Sequence, residues 1–79
     1  MSFINDDLLL QLTDCDNLEE IRVISLRNKQ LTSCLKYLHR CENLVIAYLS
    51  HNIINLKDLS YLQSFQNLKK IDLSHNSIE

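Results

Sequence analysis

Two Ser-His pairs, Ser50-His51 and Ser74-His75, occupy the same place in two copies of a Leu-Ser-His-Asn string, and they are the residues of this chain best suited to chemistry. A hydroxyl beside an imidazole suggests nucleophilic catalysis, and two imidazoles with Asp72 or Asp58 suggest a transition-metal site. Neither idea develops. Read as neighbours on a strand, Ser50 and His51 point to opposite faces and cannot meet as nucleophile and base. The chain has no Gly-rich phosphate loop, no paired-carboxylate motif and no Cys-x-x-Cys, and it contains no Gly at all. The two His residues recur because the whole string recurs, and no third ligand stands at a fixed spacing from them. The sequence therefore predicts no catalytic residue, no metal site, no cofactor and no enzyme.

Three cysteines, at 15, 34 and 41, are an odd number without metal-ligand spacing. Cys15 and Cys41 fall on apolar positions that Leu38 and Phe65 fill in neighbouring copies, so they are expected to be small packing residues.

The elements that position these residues are set by a repeat. Asn43-Leu-Val-Ile-Ala-Tyr-Leu-Ser-His-Asn-Ile-Ile54 returns 24 residues later as Asn67-Leu-Lys-Lys-Ile-Asp-Leu-Ser-His-Asn-Ser-Ile78. Leu68, Ile71, Leu73, Asn76 and Ile78 match Leu44, Ala47, Leu49, Asn52 and Ile54. A step of 23 further back reaches Ile21, Ile24, Leu26, Lys29 and Leu31, where Lys29 replaces the Asn. Between these cores run triplets spaced by three: Leu12, Cys15, Leu18; Leu35, Leu38, Cys41; Leu59, Leu62, Phe65. The first part of each unit alternates as a strand does, with Ile71 and Leu73 inward and Lys70, Asp72 and Ser74 outward; the second part has helical spacing. Strands pack about 4.8 Å apart and helices about 8 to 10 Å apart, so stacked units should curve with their strands inside. Near the N-terminus, a register matching Phe3, Asp6 and Leu8 to the repeat competes with a helix capped by Asn5 or Asp6, and the helix is preferred.

Without Gly or Pro, the turns must come from Asn28, Asn52, Asn55, Asn76 and Ser77, whose side chains bond back to nearby backbone. Asn52 and Asn76 are expected to satisfy backbone groups stranded where each strand stops. No linker composition separates a second domain. Apolar residues make up 46% of the chain, yet no run approaches the roughly 18 needed to span a bilayer. The N-terminus lacks a signal-peptide pattern, which points to an intracellular, cytoplasmic setting.

On these residues the chain resembles a leucine-rich repeat protein, and the lengths of 23 and 24, the Leu-x-x-Leu-x-x-Leu return and the lack of Pro resemble the intracellular SDS-type class. The resemblance covers roughly residues 18 to 79. Its departures are Lys29 for Asn, Ala47 for Leu, and an end at Glu79 directly after the third strand motif. It implies an α/β repeat fold: a solenoid with a short parallel sheet on its concave side and helices or helical turns on its convex side. The units are then an N-terminal helical cap or partial repeat at 1–20, repeats at 21–43 and 44–67, and an incomplete repeat at 68–79. The family implies a protein-binding scaffold or regulatory protein, often found in cytoskeletal or ciliary assemblies and ribonucleoprotein particles. Because an array normally finishes with a capping unit, a truncated longer protein is expected, or self-association through the open edge of the last repeat.

Residues between the inward strand positions should form the binding surface. The candidates are Val23, Arg27, Ile46, Tyr48, His51, Lys70, Asp72 and His75, in an outward set that also holds Ser25, Asn28, Ser50 and Ser74. Val23, Ile46 and Tyr48 make an apolar cluster with an aromatic anchor, rimmed by Arg27, His51 and Asp72, which is a composition partner-binding patches favour. β-branched and aromatic residues also simply favour strands. Residues 1 to 20 carry a charge of −6 and the remainder +4, giving the total of −2. Arg22, Arg27 and Lys29 are too few, and too poor in interleaved aromatics, for a nucleic-acid surface. A protein-interaction module is the expected function; a structural fragment without binding of its own and an RNA-associated repeat are the alternatives.

Overall fold

The computed structural model describes residues 4–76; Phe3 of the competing N-terminal register and Ser77 and Ile78 of the last repeat lie outside them. The chain opens with helix α1, Asp6–Thr13. Asn5 caps it from an extended conformation, its side chain accepting the Leu8 amide at 2.8 Å, and Asp6 and Asp7 place negative charge in the first turn. Asp14 ends it in the left-handed region. The face α1 buries differs from the expected triplet: Leu9 is fully buried, whereas Leu12 is 44% exposed. The spacing of three that placed Leu12 with Cys15 and Leu18 is broken because the helix stops between them.

Three short strands follow, β1 (Val23–Ser25), β2 (Ile46–Tyr48) and β3 (Lys70–Asp72), in one parallel sheet ordered as in the sequence. Val23 pairs with Ile46 and Ile46 with Lys70; Ile24, Ala47 and Ile71 form the next row, and Ser25, Tyr48 and Asp72 the third. The ladder runs past the strand ends through Leu26 N–H to the Tyr48 carbonyl and Leu49 N–H to the Asp72 carbonyl, both at 2.8 Å. Parallel strands need a crossover, and here each return is a single helical stretch. Helix α2 (Leu35–Leu38) returns the chain from β1 to β2, and a 3-10 segment (Asp58–Ser64) returns it from β2 to β3. The two pack against each other behind the sheet. Only the first is α-helical, and for one turn, so the returns are tighter than full helices.

Between sheet and returns lies one apolar core. Leu35, Leu38 and Cys41 are fully buried, while the equivalent Leu59, Leu62 and Phe65 are half-buried. The same gradient runs along the sheet, from buried Ile24 and Ala47 to half-buried Ile71. Its cause is coverage. At the β1 end, α1 packs over the core, and Asp6 fixes it by accepting from the Tyr37 hydroxyl and pairing with Arg40 at 3.2 Å. At the β3 end no described residue pairs with the far edge of the strand.

Polar side chains stitch each unit to the one before it. Asn52 accepts the amides of Lys29 at 2.9 Å and Leu31 at 3.1 Å, and its Nδ2 donates to the carbonyls of Leu26 at 2.8 Å and Leu49 at 2.9 Å. Asn76 repeats this one unit on, accepting from Ile54 N–H and donating to Leu49 and Leu73, each at 3.0 Å. Lys29, at the equivalent place in the first unit, is exposed, and what precedes its unit is α1 rather than a strand. An Asn there would have no strand-end carbonyl behind it to hold. A second ladder runs from Asn43 Nδ2 to the Glu19 carbonyl at 2.9 Å and from Asn67 Nδ2 to the Glu42 carbonyl at 3.1 Å.

Candidate functional site

The outer face of the sheet is set by alternation: with Ile24, Ala47 and Ile71 turned into the core, Val23, Ser25, Ile46, Tyr48, Lys70 and Asp72 turn outward. Val23 is 50% exposed, and Ile46 beside it and Tyr48 are half-buried. Tyr48 ends the middle strand and takes one cation from the turn after β1 and one from β3. The Arg27 guanidinium lies 4.5 Å from its ring centroid and the Lys70 ammonium 5.5 Å. Both distances fall within the range in which the ring quadrupole attracts a cation. Arg27 also reaches across β2 to Asp72, at 3.9 Å. Asp72 accepts the Ser74 hydroxyl at 2.8 Å and the Ser74 amide at 3.1 Å. These bonds, with help from Arg27 and Lys70, hold its carboxyl below the usual range.

The His residues stand elsewhere than the strand register implies. β2 stops at Tyr48, so Ser50 and His51 are turn residues: Ser50 is buried, not outward-facing, and His51 has φ 58°. The opposite-face argument for this pair therefore does not apply. Asn28, His51 and His75 hold the same turn position in three units with φ of 55°, 58° and 57°. Among non-Gly residues, Asn and His tolerate this region better than most. That is how the chain turns without Gly, while Asn52 and Asn76 act through their side chains instead. Stacking two such turns brings the His51 and His75 rings face to face, with centroids 4.3 Å apart and planes 7° from parallel. Among the described residues no group of three His, Cys, Asp or Glu is placed to hold a metal ion.

Asp58, weighed above as a possible ligand, lies on the opposite side of the molecule. It is buried and caps the preceding unit, accepting the Leu35 amide at 2.9 Å and the Lys36 amide at 3.3 Å, at the start of α2. Its partners are amides of another unit, so no local pattern marks it; the signal available was a lone Asp beside the triplet position Leu59. Cys34, left unassigned by the spacing, is fully buried, and desolvation with the nearby Asp58 charge pushes its thiol up to about 12. Cys41 is buried too, its thiol pushed up to about 11 chiefly by desolvation, whereas Cys15 is only half-buried. All three thiols are free.

The structure thus gathers Val23, Arg27, Ile46, Tyr48, Lys70 and Asp72 on one face and sets His51 and His75 at its rim. No protein-family model, curated protein or solved structure matches the chain. No helix among the described residues is long and apolar enough to cross a membrane.

Proposed function

We propose that the chain is a leucine-rich-repeat interaction module that binds a protein partner through the outer face of its sheet. Its support is the arrangement around Tyr48: an aromatic ring held between Arg27 and Lys70, with exposed Val23 and half-buried Ile46 alongside. Tyr and Arg are the residue types that dominate interface energetics, and rings already held in place lose little entropy on binding. The repeat reading is supported by three parallel strands in register, the second and third each stitched to the strand before by an Asn.

A structural role within a larger assembly is the second reading, favoured by the half-buried Leu68, Ile71 and Leu73 under β3. An RNA-associated role has less behind it, since the face offers two cations around one aromatic ring rather than a basic row interleaved with aromatics.

A photo-crosslinking residue at Ser25, beside Tyr48 on the face, and another at exposed Lys57 on the return side separate these readings. Crosslinks from position 25 that disappear in Tyr48→Ala, with melting unchanged, support the module. Equal crosslinking from both positions, or indifference to Tyr48→Ala, contradicts it.

A further inference from the structure

We infer that the sheet face takes an extended protein segment in which an apolar side chain is followed by carboxylates, an acidic-apolar peptide rather than a basic or purely polar one. This rests on reading the sheet face as an interaction surface. Charge and shape select this class of partner. Two cations, Arg27 and Lys70, flank Tyr48, and the single carboxylate among the paired strand positions, Asp72, is already committed to Ser74 and to Arg27. Among the described residues no carboxylate lies within ion-pair distance of Lys70, and the Arg27 side chain remains 51% exposed despite its partners. The other end of the first row is apolar: Val23 and Ile46 stand side by side at adjacent strand positions, in line with Lys70.

A ligand crossing the strands therefore meets aliphatic surface first and positive charge second. Among the described residues, Asp72 is the one carboxylate within ion-pair distance of a cation on this face. Of the carboxylates in residues 1 to 20, Asp6 is bound to Tyr37 and Arg40 by the α2 return, and Glu20 bonds the Asn17 side chain and the Asp16 amide within its own turn. A basic segment would instead place its charge against Arg27 and Lys70. Like charges brought together at an interface repel, which gives the face its discrimination.

The test uses the full chain, isotope-labelled, titrated with three short synthetic peptides: one alternating Leu with Glu, one alternating Leu with Lys, and one alternating Ser with Glu. The Leu/Glu peptide is expected to bind at least about tenfold more tightly than either control and to move the amide signals of Val23, Ile46, Tyr48 and Lys70. Lys70→Glu, on the exposed strand surface, should weaken Leu/Glu binding about tenfold and improve Leu/Lys binding. Val23→Ser should weaken Leu/Glu binding and leave Ser/Glu binding unchanged. Binding of Leu/Glu no tighter than the controls, signal changes away from this face, or indifference to Lys70→Glu would overturn the inference. Preference for the Leu/Lys peptide on the same residues would refute the acidic partner while leaving the interaction face standing. Crosslinking from position 25 no stronger than from position 57, or indifferent to Tyr48→Ala, would instead remove the face itself.

Discussion

The side-chain amide of Asn52 donates to the carbonyl of Leu26 at 2.8 Å across 26 residues of sequence, so the end of one strand is closed by the turn of the next unit. The same carboxamide accepts Lys29 and Leu31, which ties three backbone groups of the first unit to a single buried residue of the second. Asn52→Ala leaves these groups without partners and is expected to cost about 1 to 3 kcal/mol, measured by chemical denaturation. Asn76→Ala should cost less, because Asn76 is only half-buried and water can replace it. Equal losses at the two sites would mean that burial does not set the cost.

Asp58 holds Leu35 and Lys36 from the neighbouring unit. Asp58→Ala removes a cap and exposes two amides; the expected loss is about 0.5 to 2 kcal/mol, with faster hydrogen exchange at Leu35 and Lys36 ahead of the rest of α2. Asp58→Asn keeps an acceptor and should lose less. Unchanged exchange at both amides in the Ala variant would refute the capping role.

The repeated Leu and Ile positions of the chain were legible because they obey a spacing: Ile24, Ala47 and Ile71 fall where alternation turns them inward, and β1, β2 and β3 lie on the segments that spacing marks. What was not legible depends on neighbours. Asp58 caps amides that lie 23 and 22 residues away, and no window of local sequence joins them. Ser50 is buried because the turn folds under after β2 ends, which a period-two count carried too far. Leu12 is exposed because α1 rotates Leu9 inward, a choice that depends on where the helix stops. On the interaction face, the alternation identified Val23, Ile46, Tyr48, Lys70 and Asp72, but the placing of two cations on one ring needed the strands side by side.

The left-handed turns make a further prediction. His51 and His75 occupy a region that β-branched residues avoid, at φ of 58° and 57°. His51→Val is expected to lose about 1 to 2 kcal/mol, whereas His51→Gly relieves the steric cost and loses only the stacking against His75. Val tolerated as well as Gly in a melting experiment would show that the turn conformation is not held.

pH acts at both ends of the range. The folded thiols of Cys34 and Cys41 titrate near 12 and 11 against an ordinary 9.0, so the folded chain keeps protons that the unfolded chain releases. Their contribution is fully present below pH 9.0 and is lost as pH rises through 11 and 12. Asp72 works in the opposite sense: its folded carboxyl is held low by Ser74, so its contribution is present above the ordinary carboxylate range and fades as pH falls through the folded value. Stability should therefore fall with rising pH above 9.0, and a Cys34→Ala, Cys41→Ala variant should show a flatter alkaline limb. In the native protein at neutral pH, a thiol reagent should label half-buried Cys15 first and leave Cys34 and Cys41 protected. Uniform labelling would contradict the burial of the two core thiols.

The whole account depends on neighbouring coils sharing a sheet, and scalar couplings transmitted through hydrogen bonds measure this directly. Couplings are predicted from the Leu26 amide nitrogen to the Tyr48 carbonyl carbon and from the Leu49 amide nitrogen to the Asp72 carbonyl carbon, both bonds being 2.8 Å in length. Detection of both places the three strands side by side; their absence, with couplings from residues 46–48 and 70–72 to residues four positions earlier in the chain, would mean helices there and would end the account.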